Sequence, residues 1–543
     1  MALHGVTMPL VVLGREAVMM RLLLELGLAQ EAVLEFFTGP ALTRRMLARA
    51  RELGMRPVLP GFGGHDQLQE LFPSEPFSRL PLWSGFSAEF SGLLFVEPAS
   101  DLYVRLGKRF IEIQTEMACG HAQLAALRGA DPEAIWVVQG WLFVNSRAFW
   151  GEEQIEAYLH PVPREHILVL DLISEAHPAY SSTRSYHGRP FLWSVLHNFG
   201  GQVGLRGNLR TVMDRPYAAA RQAEGTMVGI GLTMEAINQN PVVYELALDH
   251  VWNPEPRDLG QWLRTWVRAR YGYLEATMDE VSESFVGQCS DGPEEEIAKG
   301  ESERCLASTD AQTAWQLLLR SCYSAMDQQG NGFWGVPRSV IEKRPSMRVG
   351  AVVTTGFQGT AVRYDACELV EAWLHLEQAV EKATSASADL TGSALELDLV
   401  ELTRQALANH AQALYLDFVK QALATEASVD ALEAARAQFL QLLGDLDALL
   451  AAAAAASPRA AGHFSAGAWL GGAEALASGQ AERQQYAHNA RNLLTLWGPH
   501  PAGTLADYTR ACGQASLPLI TGRAGRSPWT PWLRRCASAE APA

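Results

Sequence analysis

Up to about residue 275 this chain alternates short apolar runs with amphipathic stretches. That rhythm is the βαβα pattern of a parallel sheet or barrel, and few other folds accommodate it. The apolar runs predict strands over residues 6–13, 55–59, 134–143, 166–173, 191–199 and 226–232. Several are apolar at successive positions, as strands covered by helices on both faces must be. Helical spacing over residues 16–28 and 41–53 supplies intervening elements.

The predicted strands run into polar, aromatic or glycine-rich residues at their C-terminal ends. These are Pro60-Gly-Phe-Gly-Gly-His65, Gln139-Gly-Trp141, Asp171 to His177, His197-Asn-Phe-Gly-Gly201 and Glu235 to Asn240. In a (β/α)8 barrel those loops build the active site. The functional face is therefore expected at these strand ends.

The remaining sequence divides by composition. Residues 1–275 read as the barrel domain, and residues 276–310, with Gly292-Pro-Glu-Glu-Glu296, as an acidic linker or insertion. Residues 311–510 carry Leu/Ala/Glu/Gln-rich helical spacing and read as an all-α C-terminal domain. Residues 511–543, rich in Pro, Gly, Arg and Ser, read as an irregular tail.

A formal net charge of -16 disfavours nucleic acid or anionic lipid as a partner. The seven cysteines are scattered without a CxxC pair, which gives no metal or redox motif and leaves room for one disulfide. The N-terminal residues lack the pattern of a signal peptide, and no N-x-S/T acceptor is present. The most apolar stretch, residues 445–456, contains Asp445 and Asp447 and fits a soluble helix better than a membrane span.

Two motifs are more specific. Phe191-Leu-Trp-Ser-Val-Leu-His-Asn-Phe-Gly-Gly201 is followed by Thr226-Met-Val-Gly-Ile-Gly-Leu-Thr-Met-Glu235-Ala-Ile-Asn-Gln-Asn240 and Val242-Val-Tyr244. With Glu35-Phe-Phe-Thr-Gly-Pro40, Trp136-Val-Val-Gln-Gly-Trp-Leu-Phe143, Leu168-Val-Leu-Asp-Leu172 and Ala490-Arg-Asn-Leu-Leu-Thr-Leu-Trp-Gly498, they resemble the family 89 glycoside hydrolases. The resemblance spans roughly residues 1–280 and 311–510. It implies a (β/α)8 catalytic barrel packed against an all-α domain, and retaining removal of terminal α-linked N-acetylglucosamine from glycans such as heparan sulfate. It also implies no metal or other cofactor, and a lysosomal, vacuolar or secreted location.

A retaining glycosidase needs a nucleophilic carboxylate and an acid/base carboxyl about 5–5.5 Å apart. Glu235 matches the family's nucleophile, although pattern alone favours a capping or first-turn carboxylate of the following helix there. His197 and Asn198 are candidates for hydrogen bonds to sugar hydroxyls, with a satisfied core histidine as the plainer alternative. Trp141 is a candidate apolar platform for a pyranose ring, or simply a core residue. Asn240 and Tyr244 follow Glu235 closely enough to orient it, and Asp171 and Glu175 are candidate substrate contacts. A barrel hydrolase using Asp171 or Glu175 as its acid, and a non-catalytic sugar-binding homologue, stay open as alternatives. A helical interaction module built on residues 311–510 is a third.

The resemblance also exposes departures. The family's acid/base glutamate lies in a segment reading approximately Asp-Thr-Phe-Asn-Glu, and here Phe110-Ile-Glu-Ile-Gln-Thr-Glu116-Met leads instead through Ala118-Cys-Gly-His-Ala-Gln to Asp131-Pro-Glu-Ala-Ile-Trp136. Glu116 falls in the preceding helix. A Trp- and Gly-rich loop expected after Pro40 is missing too, as are the N-terminal domain, the first barrel strand and the family's final helices. The chain as written is therefore expected to be inactive or severely impaired, the barrel being incomplete.

Overall fold

The computed structural model describes chiefly residues 68–79, 94–119, 135–160, 162–197, 204–234, 240–272, 299–324, 364–385, 389–424, 428–456 and 464–477. The strand expected over residues 6–13 and all but the first residue of the one over 55–59 lie outside them. The chain forms two compact units. One comprises Met1–Val195, Arg215–Thr233 and Ala247–Glu255, and the other Leu196–Asp214, Met234–Leu246 and Pro256–Ala543.

In the first unit a helical turn at Leu68–Leu71 precedes an antiparallel pair, β1 (Phe77–Arg79) and β2 (Leu94–Val96), followed by α1 (Asp101–Cys119). Leu102 and Leu106 of α1 pack with Val96 and Leu68 in a small buried cluster. The main sheet then runs β3 (Trp136–Gln139), α2 (Trp141–Asn145), α3 (Glu152–Leu159), β4 (Ile167–Asp171), β5 (Phe191–Val195), α4 (Leu209–Gln222) and β6 (Met227–Leu232). Its four strands are parallel and adjacent in chain order, β3-β4-β5-β6.

The residues explain this order. β4 reads Ile-Leu-Val-Leu-Asp, with Ile167 at 2% and Val169 at 0% exposure on one face and Leu168 at 6% on the other, so it is covered on both faces. Phe191, Trp193 and Val195 of β5 are fully buried. Gly229 in β6 leaves Leu192 room, since a Cβ there would meet its Cδ2 at 3.1 Å. The strand expected over residues 134–143 is shorter than its apolar run. The Gly140 amide makes the last rung to the Leu170 carbonyl at 2.8 Å, and Trp141 then begins a helix.

In chain order there follow α5 (Pro241–Asp249), α6 (Leu259–Arg270), α7 (Lys299–Arg320), α8 (Ala366–Ser385), α9 (Ala394–Ala422), α10 (Val429–Ala456) and α11 (Ala466–Ala475). Helix α7 begins inside the stretch read as a linker. Its charges suggested a solvated loop, but Ala307, Ala311, Ala314 and Leu318 form a buried helical stripe. In the second unit α6 packs on α7, α7 on α8, α8 on α9 and α9 on α10. The α6 and α9 N-termini are capped by Asp258 and Ser393, whose side chains accept the Gln261 and Glu396 amides.

Helix α10 is the described helix long and apolar enough to cross a membrane. Its Leu442, Leu446, Leu449 and Ala453 pack against Leu397, Val400, Leu407 and Ala411 of α9, which makes it a core helix of this unit. Among the described cysteines, Cys322 and Cys367 are free thiols.

Candidate active site

The exit of β4 is organised by Asp171, which is 1% exposed. Its carboxylate accepts the Ala179 and Tyr180 amides at 3.2 and 2.8 Å. Burial raises its pKa, against the pull of those two amides and the hydroxyls of Tyr186 and Ser174. Its side chain thus shapes the connection from β4 to β5. Ser174 ties the same segment to β5, donating its amide to the Ser194 carbonyl at 2.9 Å and accepting the Ser194 amide on Oγ at 3.2 Å. Glu175 rides on this segment, 9% exposed, and Arg215 donates to its backbone carbonyl at 2.9 Å.

The β4–β5 connection contains a left-handed turn. Arg184, Ser185, Tyr186 and His187 have φ between 48° and 55°, and Gly188 continues it at 78°. Each non-glycine residue in that conformation costs roughly 1–2 kcal/mol. Tyr186, fully buried, offsets part of that cost: its ring lies 5.6 Å from Phe191 and 6.1 Å from Phe143. A Cβ on residue 140 would overlap the Tyr186 hydroxyl, so the glycine between Gln139 and Trp141 is a packing requirement. Trp141 itself is half-buried at the start of α2.

Thr233 fixes the exit of β6. Its amide donates to the Val195 carbonyl at 2.9 Å, and its hydroxyl reaches the Leu172 carbonyl at 2.5 Å and the Val195 carbonyl at 3.3 Å.

In the second unit His197 follows β5 with φ 63°, a left-handed backbone unusual outside glycine and characteristic of functional sites. Its ring stands edge-on to Tyr244, centroids 5.7 Å apart. The Tyr244 hydroxyl donates to the Leu196 carbonyl at 2.9 Å. Asn240 precedes α5 and accepts the Tyr323 hydroxyl and the Arg206 amide at 2.9 and 3.3 Å. Asn240 and Tyr244 are therefore anchored residues just downstream of Glu235. Glu235 and Asn198 lie outside the described residues.

Burial, aided by the Arg206 charge, lowers the His197 pKa to about 3, so its imidazole is neutral. Because this is below the ordinary value of about 6.5, the unfolded chain binds the proton first as pH falls. His197 stability is then intact above pH ~6.5 and lost by about 1.4 kcal/mol per pH unit down toward pH ~3. His197→Asn keeps a residue that tolerates positive φ and removes the titration. Thermal unfolding midpoints of the two proteins are expected to converge between pH 7 and 5; a constant separation would exclude His197 as the source.

The tim-barrel domain model of α-N-acetylglucosaminidase matches residues 1–44, 41–121 and 117–254, and its C-terminal domain model matches residues 302–512. The chain belongs to the α-N-acetylglucosaminidase family. Human α-N-acetylglucosaminidase is 32% identical over 564 residues, covering 94% of this chain and 68% of the human protein. A Clostridium perfringens family 89 glycoside hydrolase in complex with 2-acetamido-1,2-dideoxynojirmycin superposes with a TM-score of 0.70 at 21% identity. That match covers 99% of this chain and 61% of the bacterial one. The C. perfringens enzyme with two glutamates changed to glutamine, in complex with its substrate GlcNAc-α-1,4-galactose, gives 0.69 at 21% identity. There the match covers 93% of this chain and 57% of the other, so the chain spans less than two thirds of these solved relatives.

The fold is thus the α-N-acetylglucosaminidase barrel followed by the helical domain. The barrel match is divided at residues 41–44 and 117–121. Those joins fall beside Pro40 and Glu116, where departures from the family's pattern are expected.

Sequence reading missed Thr233, Tyr186 and Arg206. Thr233 stands within the motif that ends in Glu235 and was accessible from it. Tyr186 gave no signal, because its place depends on a left-handed turn that reaches glycine only at Gly188, after four non-glycine residues.

Proposed function

We propose that this chain is a retaining α-N-acetylglucosaminidase that carries the nucleophile and is impaired in the protonation step. The observation that carries this reading is the motif ending in Glu235, two residues past an anchored strand exit in a chain of this family. In that reading a Glu235 oxygen bonds to the anomeric carbon as the bond to the leaving oxygen breaks. The neutral His197 and the Asn198 amide hydrogen-bond sugar hydroxyls, and Trp141 supports the ring or the acetamido methyl. Asn240 and Tyr244 hold the segment after the nucleophile.

Asp171 is assigned to loop organisation, because both its oxygens already accept backbone amides. Glu175 keeps its candidacy as a sugar contact. Glycans such as heparan sulfate, with a lysosomal, vacuolar or extracellular location, are the substrate class and setting proposed.

The test uses 2,4-dinitrophenyl α-N-acetylglucosaminide, whose phenolate departs without a proton. Wild-type chain is expected to form a glycosyl-enzyme whose mass shift maps to the peptide containing Glu235, and Glu235→Gln to fall to the uncatalysed rate. Labelling at another carboxylate would defeat the assignment. The join at residues 117–121 favours a second reading, a non-catalytic sugar-binding homologue. Binding of N-acetylglucosamine with no labelling by the dinitrophenyl glycoside would select it.

A further inference from the structure

We infer that Thr233 is a positioning residue for the proposed nucleophile, acting through a clamp on neighbouring strand exits. This rests on the assignment of Glu235 above. The clamp itself consists wholly of described atoms. The Thr233 amide donates to the Val195 carbonyl at the end of β5, and its hydroxyl donates to the Leu172 carbonyl just past β4, at 2.5 Å.

That second contact is unusual in its reach. β5 lies between β4 and β6 in the sheet, so a β6 residue ordinarily meets only β5. Thr233 reaches beyond its neighbour, its hydroxyl lying within hydrogen-bond distance of both the Val195 and the Leu172 carbonyls. The exits of three strands thus meet at one side chain. Of these exits, β4 leads within four residues to Glu175, and β6 leads within three to Glu235.

The hydroxyl therefore fixes the direction in which the chain leaves β6. Leu172 is fixed in turn, since its neighbours Asp171 and Ser174 are hydrogen-bonded to the Tyr180 amide and to Ser194. A carboxylate that must approach an anomeric carbon in line is sensitive to such direction. Displacement by about 1 Å costs about 10²-fold in rate. Thr233→Val keeps the branched shape and removes the donor, leaving the Leu172 carbonyl without it. Thr233→Ser keeps the hydroxyl, and Thr233→Ala is the fallback should valine impair folding.

Two readouts test the role in the full chain. At saturating 2,4-dinitrophenyl α-N-acetylglucosaminide, Thr233→Val is expected to slow glycosyl-enzyme formation about 10²-fold with little change in half-saturating concentration. Thr233→Ser should stay within a few-fold of wild type. The second readout is calorimetric binding of 2-acetamido-1,2-dideoxynojirimycin, a cationic sugar mimic that pairs with the nucleophile without turnover. Its affinity should fall for Thr233→Val and for Glu235→Gln, and be retained by Thr233→Ser.

Wild-type labelling rates and affinity in Thr233→Val would overturn the positioning role while leaving Glu235 in place. Equal losses in the valine and serine variants would overturn it as well. Absence of both labelling and iminosugar binding in wild type would remove Glu235 as nucleophile, and the positioning role with it.

Discussion

The purified chain is expected to release dinitrophenolate from the activated aryl glycoside in a burst stoichiometric with enzyme, and to cleave GlcNAc-α-1,4-galactose only very slowly. The difference lies in the leaving group. A sugar alkoxide must be protonated as the glycosidic bond breaks, and in the proposed reading the segment that bears the acid is missing between Glu116 and Asp131. General acid catalysis contributes about 10²- to 10⁴-fold, so a deficit of that order is expected for the disaccharide alone. Dinitrophenolate departs as a stable anion and escapes the deficit.

The same group ordinarily acts as base in the second step, activating water against the glycosyl-enzyme. Turnover after the burst should therefore be slow and should rise on adding azide. Azide attacks the anomeric carbon without base assistance, releases the Glu235 carboxylate, and yields the α-glycosyl azide. Equal efficiency on both substrates, with no effect of azide, would show that another group supplies the proton. Glu175, buried on the Ser174-anchored segment past β4, would then be the first residue to replace.

The strands were legible where burial on both faces left an unbroken apolar run. Ile167–Asp171 and Phe191–Val195 fall inside the runs at residues 166–173 and 191–199 because their apolar residues lie on both faces, with Asp171 and Ser194 the polar exceptions. Residues 141–143 misled because an apolar run does not say where a strand becomes a helix; Gly140 at the break is a glycine because a Cβ there would overlap the Tyr186 hydroxyl. The start of α7 misled in the opposite sense, its charges preceding the buried stripe that begins at Ala307.

At the candidate site the sequence offers residue types and leaves their direction unread. Asp171 sits at a strand end as an active-site carboxylate would, yet its partner across β5 is the fully buried Trp193, and its oxygens face the β4–β5 connection. Strand pleating decides that, and a single sequence does not record which face of the sheet is which. The Thr233 clamp joins residues 61 apart in the chain through space, and no periodicity signals such a contact.

In the helical unit the largest loss of stability is expected from Asp398→Ala. Arg270 at the end of α6 donates to both Asp398 carboxylate oxygens on α9, at 2.5 and 2.6 Å, and each side chain is 15% exposed. Burial opposes the guanidinium charge, but Asp398 overrides it and raises the Arg270 pKa. The aspartate also accepts the Tyr271 hydroxyl at 2.5 Å, and that hydroxyl accepts the Trp315 indole N–H of α7 at 2.8 Å. Arg270 lies 5.1 Å over the Trp266 ring, so the guanidinium is enclosed by aromatic surface. Three helices are joined through one carboxylate.

Removing the carboxylate leaves that cation buried without its counter-charge, which costs about 3–5 kcal/mol. Asp398→Asn should cost less, since an amide still accepts one hydrogen bond in the same space. The double variant Arg270→Met/Asp398→Leu should be more stable than Asp398→Ala, because it removes the stranded charge along with its partner. Thermal unfolding of the full chain, followed by the fluorescence of the Trp262, Trp266 and Trp315 cluster, distinguishes these cases. If the double variant is as unstable as the single one, the ion pair itself contributes the stability. Recovery in the double variant would show instead that the carboxylate chiefly compensates a cation the fold has already buried.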